Sequence, residues 1–270
     1  MRCARRSVGS AASNLAVMVS SSTDAIPLRL APYVLDPDEK GHARILVVLE
    51  VDTSRLTLHG EGTRRTGALD LSVIGMTRDA GTVFPLDERV LIDLDAGAAG
   101  GWMSLTREIR LPPGVGQVRV LARDVASGLA GLVTHRFTVP PLNEPYLTTP
   151  MLTDRMIVGG GKGLRLVPVA HRTFQSKGLL YCSYEVVGMT NGQGEATMRV
   201  AGGYTLSHAD GRVVSQSSPA RIAVALGGKV MRLFTLPLRD LEPGEYELVL
   251  DVVDDSSGRS LQSHERFVLR

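Results

Sequence analysis

Aromatic residues are scarce in this chain, with one Trp, six Tyr and five Phe among 270 residues. Surfaces that stack on sugar rings or nucleic-acid bases need several such side chains together, so this scarcity weighs against both. Two cysteines cannot staple a small scaffold. Cys3 lies near the amino terminus and Cys182 in a strand-like run, so pairing them would need an ordered tail. An excess of one charge is also missing. Lys plus Arg number 30 against 28 Asp plus Glu, a net charge of +2, which leaves no electrostatic footprint for a nucleic-acid partner. No apolar run approaches the ~20 residues that a membrane-spanning helix requires. What is present, 43% apolar and 21% charged residues, is globular composition.

Catalytic constellations are missing too. There is no Gly-x-Ser-x-Gly elbow. His42, His59, His135, His171, His208 and His264 are scattered, with no two at metal-ligand spacing. Asp36-Pro37-Asp38 begins like a calcium loop, but its fifth position is Lys40 and its twelfth Val47, so it reads as a solvated turn. Asp251, Asp254 and Asp255 cluster at a hairpin end and read as turn carboxylates. Gly159-Gly160-Gly161-Lys162-Gly163 lacks the spacing of a phosphate loop and reads as linker. Cys182 sits on an apolar face and reads as an inert core thiol. No catalytic, metal or cofactor residue is assigned, and the chain reads as a non-enzyme. One residue stands out as a possible ligand platform. Trp102 by parity faces away from Met103 and Leu105, which would expose its ring.

The chain repeats itself at an offset of 130 residues. Leu111, Pro113, Gly114, Asp124, Ser127, Gly128, Arg136 and Phe137 are answered by Leu241, Pro243, Gly244, Asp254, Ser257, Gly258, Arg266 and Phe267, without a gap. Earlier segments match in order. Leu28-Arg29-Leu30-Ala31-Pro32 is answered by Leu164-Arg165-Leu166-Val167-Pro168, Lys40-Gly41 by Lys177-Gly178, Glu50-Val51 by Glu185-Val186, and Gly81 by Gly211. Duplication is the simplest explanation. Residues 1–25 are expected to be a disordered tail or ragged start, since Asn14 interrupts the weakly apolar Ala11–Val19 and no convincing signal peptide results. Residues 26–140 form the first domain and 164–270 the second. Residues 141–163, with Pro141, Pro145, Pro150 and then three glycines, form a linker.

Each repeat reads as strands. Ile45, Val47, Leu49 and Val51 alternate along one face, as do Leu69, Leu71 and Val73. The second repeat shows the same period in Leu180, Cys182, Tyr184 and Val186, and in Tyr246, Leu248, Leu250 and Val252. Turn signals separate the runs. Asp210-Gly211 suits a two-residue hairpin with positive φ at both positions, and Gly128 and Gly258 occupy left-handed positions in the last hairpins. The fold class is all-β, two tandem β-sandwich domains of immunoglobulin or fibronectin III type arising by duplication.

The motifs IPLRLAPYVLDP (26–37), HRTFQSKGLLYCSYEV (171–186), YTLSHADGRVV (204–214) and PGEYELVLDVVDDSSGRSLQSHERFVL (243–269) resemble the carboxy-terminal region of bacterial, notably acidobacterial, VWFA-related proteins. In that family an amino-terminal von Willebrand factor A-like domain precedes tandem β-sandwiches. The resemblance implies a secreted or envelope-associated bacterial protein whose β-domains serve structure or interaction. It also implies a von Willebrand A-like domain that this chain lacks. The adhesion-site loop Asp-x-Ser-x-Ser is absent, and the nearest string, Asp52-Thr53-Ser54-Arg55-Leu56, lacks the final Ser. Three functions compete. The leading one is a non-catalytic module for protein interaction or structural spacing, its protein partner unidentified. The second is a carbohydrate-binding accessory module using Trp102. The third is an enzyme, whose mark would be two carboxylates of separated pKa in an inter-domain cleft.

Overall fold

The computed structural model describes residues 24–78, 81–159, 163–189, 199–224, 229–255 and 257–270. Residues 1–23 of the expected tail, with Cys3, and Gly160, Gly161 and Lys162 of the glycine run lie outside the described residues. The tail's last two residues are ordered, Asp24 bridging Gly131 and Ala25 N donating to Ala130 O.

In the first domain, β1 (Leu28–Pro37), β2 (Ala43–Asp52) and β5 (Trp102–Leu111) form one sheet in the order β1-β2-β5. β3 (Arg64–Thr77), β4 (Thr82–Asp95), β6 (Gly114–Asp124) and β7 (Ala130–Val139) form the other, in the order β4-β3-β6-β7. Three strands against four, all antiparallel, is the arrangement of a fibronectin III domain. The alternating residues lie where the period places them. Ile45, Val47, Leu49, Val51, Leu69, Leu71, Val73, Val118 and Val120 share one buried core.

The second domain repeats this plan with an altered beginning. β8 (Tyr146–Leu147) and β9 (Met151–Thr153) pair with β13 (Leu179–Val187), and β16 (Val230–Pro237) lies on its far side. A hairpin of β10 (Met156–Gly159) and β11 (Gly163–Leu166) follows β9. β12 (Thr173–Phe174) then joins the opposite sheet, parallel to β18 (Ser260–Leu269). That sheet runs β12-β18-β17-β14-β15, with β14 (Val200–His208), β15 (Val213–Arg221) and β17 (Gly244–Asp254). Leu180, Cys182, Tyr184, Val186, Leu248 and Leu250 lie in its core. Among the described residues, no helix is long and apolar enough to cross a membrane.

The duplication is carried most faithfully by the last hairpins. Gly114 faces Val139 and Arg123 faces Ala130. At the same offset Gly244 faces Leu269 and Val253 faces Ser260. Among the described residues the two turns share their closing bonds. Gly128 N donates to Asp124 O at 2.9 Å and Gly258 N to Asp254 O at 2.8 Å. Ser127 Oγ donates to Asp124 Oδ2 at 2.5 Å and Ser257 Oγ to Asp254 Oδ2 at 2.7 Å. Gly128 and Gly258 have φ of 75° and 69°, a left-handed conformation that closes the turn without a Cβ penalty.

Three expectations are corrected. Residues 141–163 are not a plain linker, because β8, β9 and β10 lie inside them. Proline and glycine content reports local stiffness, whereas the free edge of β13 decides whether the segment pairs. Leu164–Pro168 is not the counterpart of Leu28–Pro32, since the former lies in the β10–β11 hairpin and the latter in β1 against β2. Asp210 does not take positive φ. Gly211 alone does, at 87°, and His208 N donates to Arg212 O while Gly211 N donates to His208 O. This is a three-residue loop with a left-handed glycine and a register shift after Leu206.

Candidate functional site

The run Ile45-Leu46-Val47-Val48-Leu49 is apolar on both faces of β2. The inner face fills the first core. The outer face, with Val48 fully buried, needs a cover. Domain two supplies it. Ala31, Tyr33 and Val48 of the first domain form a buried cluster with Ala170, and Leu35, Leu46 and Met151 pack at its margin.

Polar groups lock this joint. Tyr33 is fully buried; its Oη donates to Val169 O at 2.7 Å and accepts from Arg172 Nη1 at 3.0 Å. Burial pushes the phenol pKa up, against the pull of Arg172. Glu50, on the outer face of β2, is also fully buried. Its carboxylate meets His171 Nδ1 at 2.9 and 3.1 Å and Arg29 Nη1 at 3.5 Å. Burial would raise its pKa, but the His171 contact, the Ala170 amide and Arg29 outweigh it, and the group is held below the usual carboxylate range. His171 Nε2 lies 4.0 Å from Asp154 Oδ1.

Two consecutive threonines staple the domains together. Thr148 N donates to Glu185 O, and Glu185 N to Thr148 Oγ1, both at 2.9 Å. Thr149 N donates to Val34 O at 2.8 Å, and Val34 N to Thr149 Oγ1 at 2.9 Å. One residue thus bonds a strand of the second domain and the next caps the open edge of β1. Tyr146 Oη adds a bond to Leu35 O at 3.0 Å. At the rim Lys229 Nζ bridges Asp36 at 3.0 Å and Glu185 at 3.2 Å.

Behind Arg172 stands Glu265, with 3.8 Å between Nη2 and Oε2. Burial raises its carboxyl pKa to about 7, against Arg172 and the Ser263 hydroxyl. His135, at the same repeat position in the first domain, is shifted down by burial and then by the charge of Arg172. Desolvation therefore favours the neutral form of both groups, at Glu265 in a largely enclosed place and at His135 on an exposed part of β7.

Trp102 belongs to this region. Its ring is half-buried, and the Arg29 guanidinium lies over it at 3.6 Å from the centroid. One ring face is therefore occupied, and the ring props the arginine that reaches Glu50. The other sequence candidates are accounted for locally. Asp38 Oδ1 accepts from Lys40 N and His42 N, and Asp36 pairs with Arg44 as well as Lys229. Asp52 caps a short 3₁₀ turn by accepting from Ser54 N. Cys182 is fully buried and burial pushes its thiol pKa up. Among the described residues, no three His, Cys, Asp or Glu side chains are placed to hold a metal ion. The two carboxylates whose pKa values separate, Glu50 and Glu265, do flank the inter-domain region. Glu50, however, is fully buried and held by His171 and Arg29.

Sequence reasoning passed over Tyr33, Glu50, Thr148, Thr149 and Arg172 as joint residues. A signal existed for one of them: an acidic residue in a strand with apolar residues on both faces must be buried and paired.

No family model matches the chain, and no curated protein sequence is similar to it. Among solved structures, the chain is similar to Salmonella α2-macroglobulin reacted with methylamine, with 11% identity over 90% of this chain and 24% of that one, at a TM-score of 0.39. It is similar to Escherichia coli α2-macroglobulin activated by porcine elastase, with 11% identity over 84% and 26%, at a TM-score of 0.29. It is similar to the fibronectin(III)-like modules of Clostridium thermocellum CbhA, with 11% identity over 90% and 93%, at a TM-score of 0.24. The chain spans about a quarter of the length of the two macroglobulins.

Proposed function

We propose that the chain is a non-catalytic tandem β-sandwich module that holds two domains at a set angle, for protein interaction or structural spacing. The observation that carries this reading is the joint. A spacer must resist bending, and the Thr148–Thr149 staple, Tyr33 and the Glu50–His171 pair tie the first sheet to the second domain through groups that cannot be exposed without losing their partners. NMR relaxation tests it. One rotational correlation time for amides of both sandwiches is expected, and independent tumbling of the two would overturn the spacer role.

The motifs that resemble VWFA-related proteins support a finer reading, in which the module serves as the carboxy-terminal part of a larger envelope protein. An antibody against these domains tests that reading in the source organism. A band well above 28.9 kDa is expected. A band at that mass would set the larger protein aside.

A further inference from the structure

The two domains present the same sheet to different surroundings. In the first, the outer face of β1 and β2 is covered by the second domain, while β5 beside them keeps Thr106, Glu108 and Arg110 exposed. In the second, the outer face of β8-β13-β16 carries Leu179, Met231 and Leu233 at 44%, 49% and 54% exposure, beside Tyr181, Ser183 and Thr235. Cross-strand pairing sets these side by side: Tyr181 faces Thr235, Ser183 faces Leu233, and Glu185 faces Met231. Ser183 also faces Met151, which packs against the inter-domain cluster. The exposed strip therefore continues the established joint rather than standing apart from it.

β16 is an edge strand. Among the described residues, its outer edge pairs with no strand beyond the Val224–Val230 bridge. Exposed apolar edges invite pairing, and proteins usually block them with charge. The corresponding strand of the first domain is blocked this way. Glu108 and Arg110 stand on the outer face of β5, with Glu108 held by Arg44. On β16 the one charged residue, Arg232, points inward, where its guanidinium lies 5.6 Å from the Phe234 ring centroid. The strip carries no charge from Met231 to Thr235, and Glu185 at its margin is already paired with Lys229.

We infer that this strip binds a second copy of the chain, β16 pairing antiparallel with β16 of its mate about a two-fold axis. Antiparallel pairing of identical strands is two-fold by construction, so the surface must complement itself. A charge-free strip meets itself without like-charge repulsion, as a charged one could not. The proposal deepens the interaction reading above and rests on it. A monomer with docked domains would remove the dimer and leave the spacer role standing.

Sedimentation equilibrium of the full chain is the test. A strip of two strands about 25 Å long is a small interface, so dimerisation with Kd of about 10–100 μM is expected. The double variant Met231→Lys, Leu233→Lys should weaken it at least about tenfold, since like charges then meet across the axis. Leu91→Lys, at an exposed leucine of the first domain, should leave it unchanged. Hydrogen exchange at the amides of β16 should slow as concentration rises. A wild-type chain that stays monomeric to about 500 μM overturns the proposal. So does a dimer that persists in the double variant, or one that forms without protecting β16.

Discussion

The last hairpins of the two domains agree in register, turn bonds and left-handed glycine, yet their first strands do not agree at all. In the first domain β1 is a ten-residue strand against β2, paired without a break from Leu28 to Val34 and again at Pro37 after a register shift. In the second that role is broken into β8 and β9, then a hairpin, then β12 on the opposite sheet. The difference has a physical use. The break frees Ala170 and His171 to meet Val48 and Glu50 on the outer face of β2, while the Val169 carbonyl and the Arg172 guanidinium reach Tyr33 of β1. The conserved end of the repeat keeps each sandwich closed, and the divergent beginning joins one to the other.

The largest test of this division is Glu50→Ala. The substitution leaves the largely buried His171 over an empty place in the joint and takes the ion-pair partner from Arg29, whose side chain is 42% exposed. Breaking a buried ion pair from one side costs about 3–5 kcal/mol. The loss should fall on docking, so one cooperative urea transition should split into two, read by domain-specific probes. A single transition at unchanged midpoint would place the joint outside the stability of the molecule. Because the folded pKa of Glu50 is depressed, its contribution is present above the unfolded carboxylate pKa and is lost as pH falls.

Glu265 and His135 sharpen the comparison, because they occupy equivalent positions with opposite titrations. The folded pKa of Glu265 is raised from 4.5 to about 7. Its contribution is therefore fully present below pH 4.5 and is lost as pH rises through 7. A shift of this size corresponds to at most about 3 kcal/mol. Arg172, Ser263, the Tyr33 phenol and the thiol of Cys182 are polar groups near it, and Arg172 is the charged one among them. His135 is shifted the other way, so its contribution is present above the unfolded imidazole pKa and is lost as pH falls. Chemical denaturation from pH 5 to 8 should show the second domain weakening with pH, and Glu265→Gln should remove that slope. A slope unchanged in the variant would assign it to another group.

Thr149→Val is the next step down. It preserves shape and removes the oxygen that accepts from Val34 N, leaving that amide unpaired at the joint, at about 1–3 kcal/mol. Thr148→Val does the same to Glu185 N on the second domain's own strand. Thr149→Val should loosen docking, read as faster exchange at β1. Thr148→Val should destabilise the second domain itself. If the two variants were indistinguishable, the threonines would not divide their bonds between the domains.

Much of the fold was legible because its signals are local. Alternation marked the strands from Ile45, Leu69, Leu180 and Tyr246, and a Ser-Gly turn after Asp marked both last hairpins. The joint was not, because its partners lie far apart in the chain; Glu50 and His171 are 121 residues from one another. Local likeness even misled. Leu-Arg-Leu followed two residues later by Pro suits a strand with period two anywhere, and what separates β1 from β11 is the neighbour each one pairs with. Tyr146-Leu147-Thr148-Thr149-Pro150 read as linker because proline content reports stiffness and says nothing of an open sheet edge.

The smallest effect makes the strictest comparison. Ser127 and Ser257 each donate Oγ to the aspartate that opens the turn, and each accepts the amide two residues on at 3.3 Å, from Leu129 N and Arg259 N. Replacing either by alanine should cost about 1 kcal/mol, the usual net worth of such bonds at a partly exposed turn. The informative quantity is the difference. Because register, turn bonds and glycine conformation coincide, Ser127→Ala and Ser257→Ala should shift the unfolding of their own domains equally, within about 0.5 kcal/mol. A larger gap would mean that the surroundings have drifted beneath a preserved turn. Equality would show that duplication kept a local energy as well as a local shape, while the first strands were free to change.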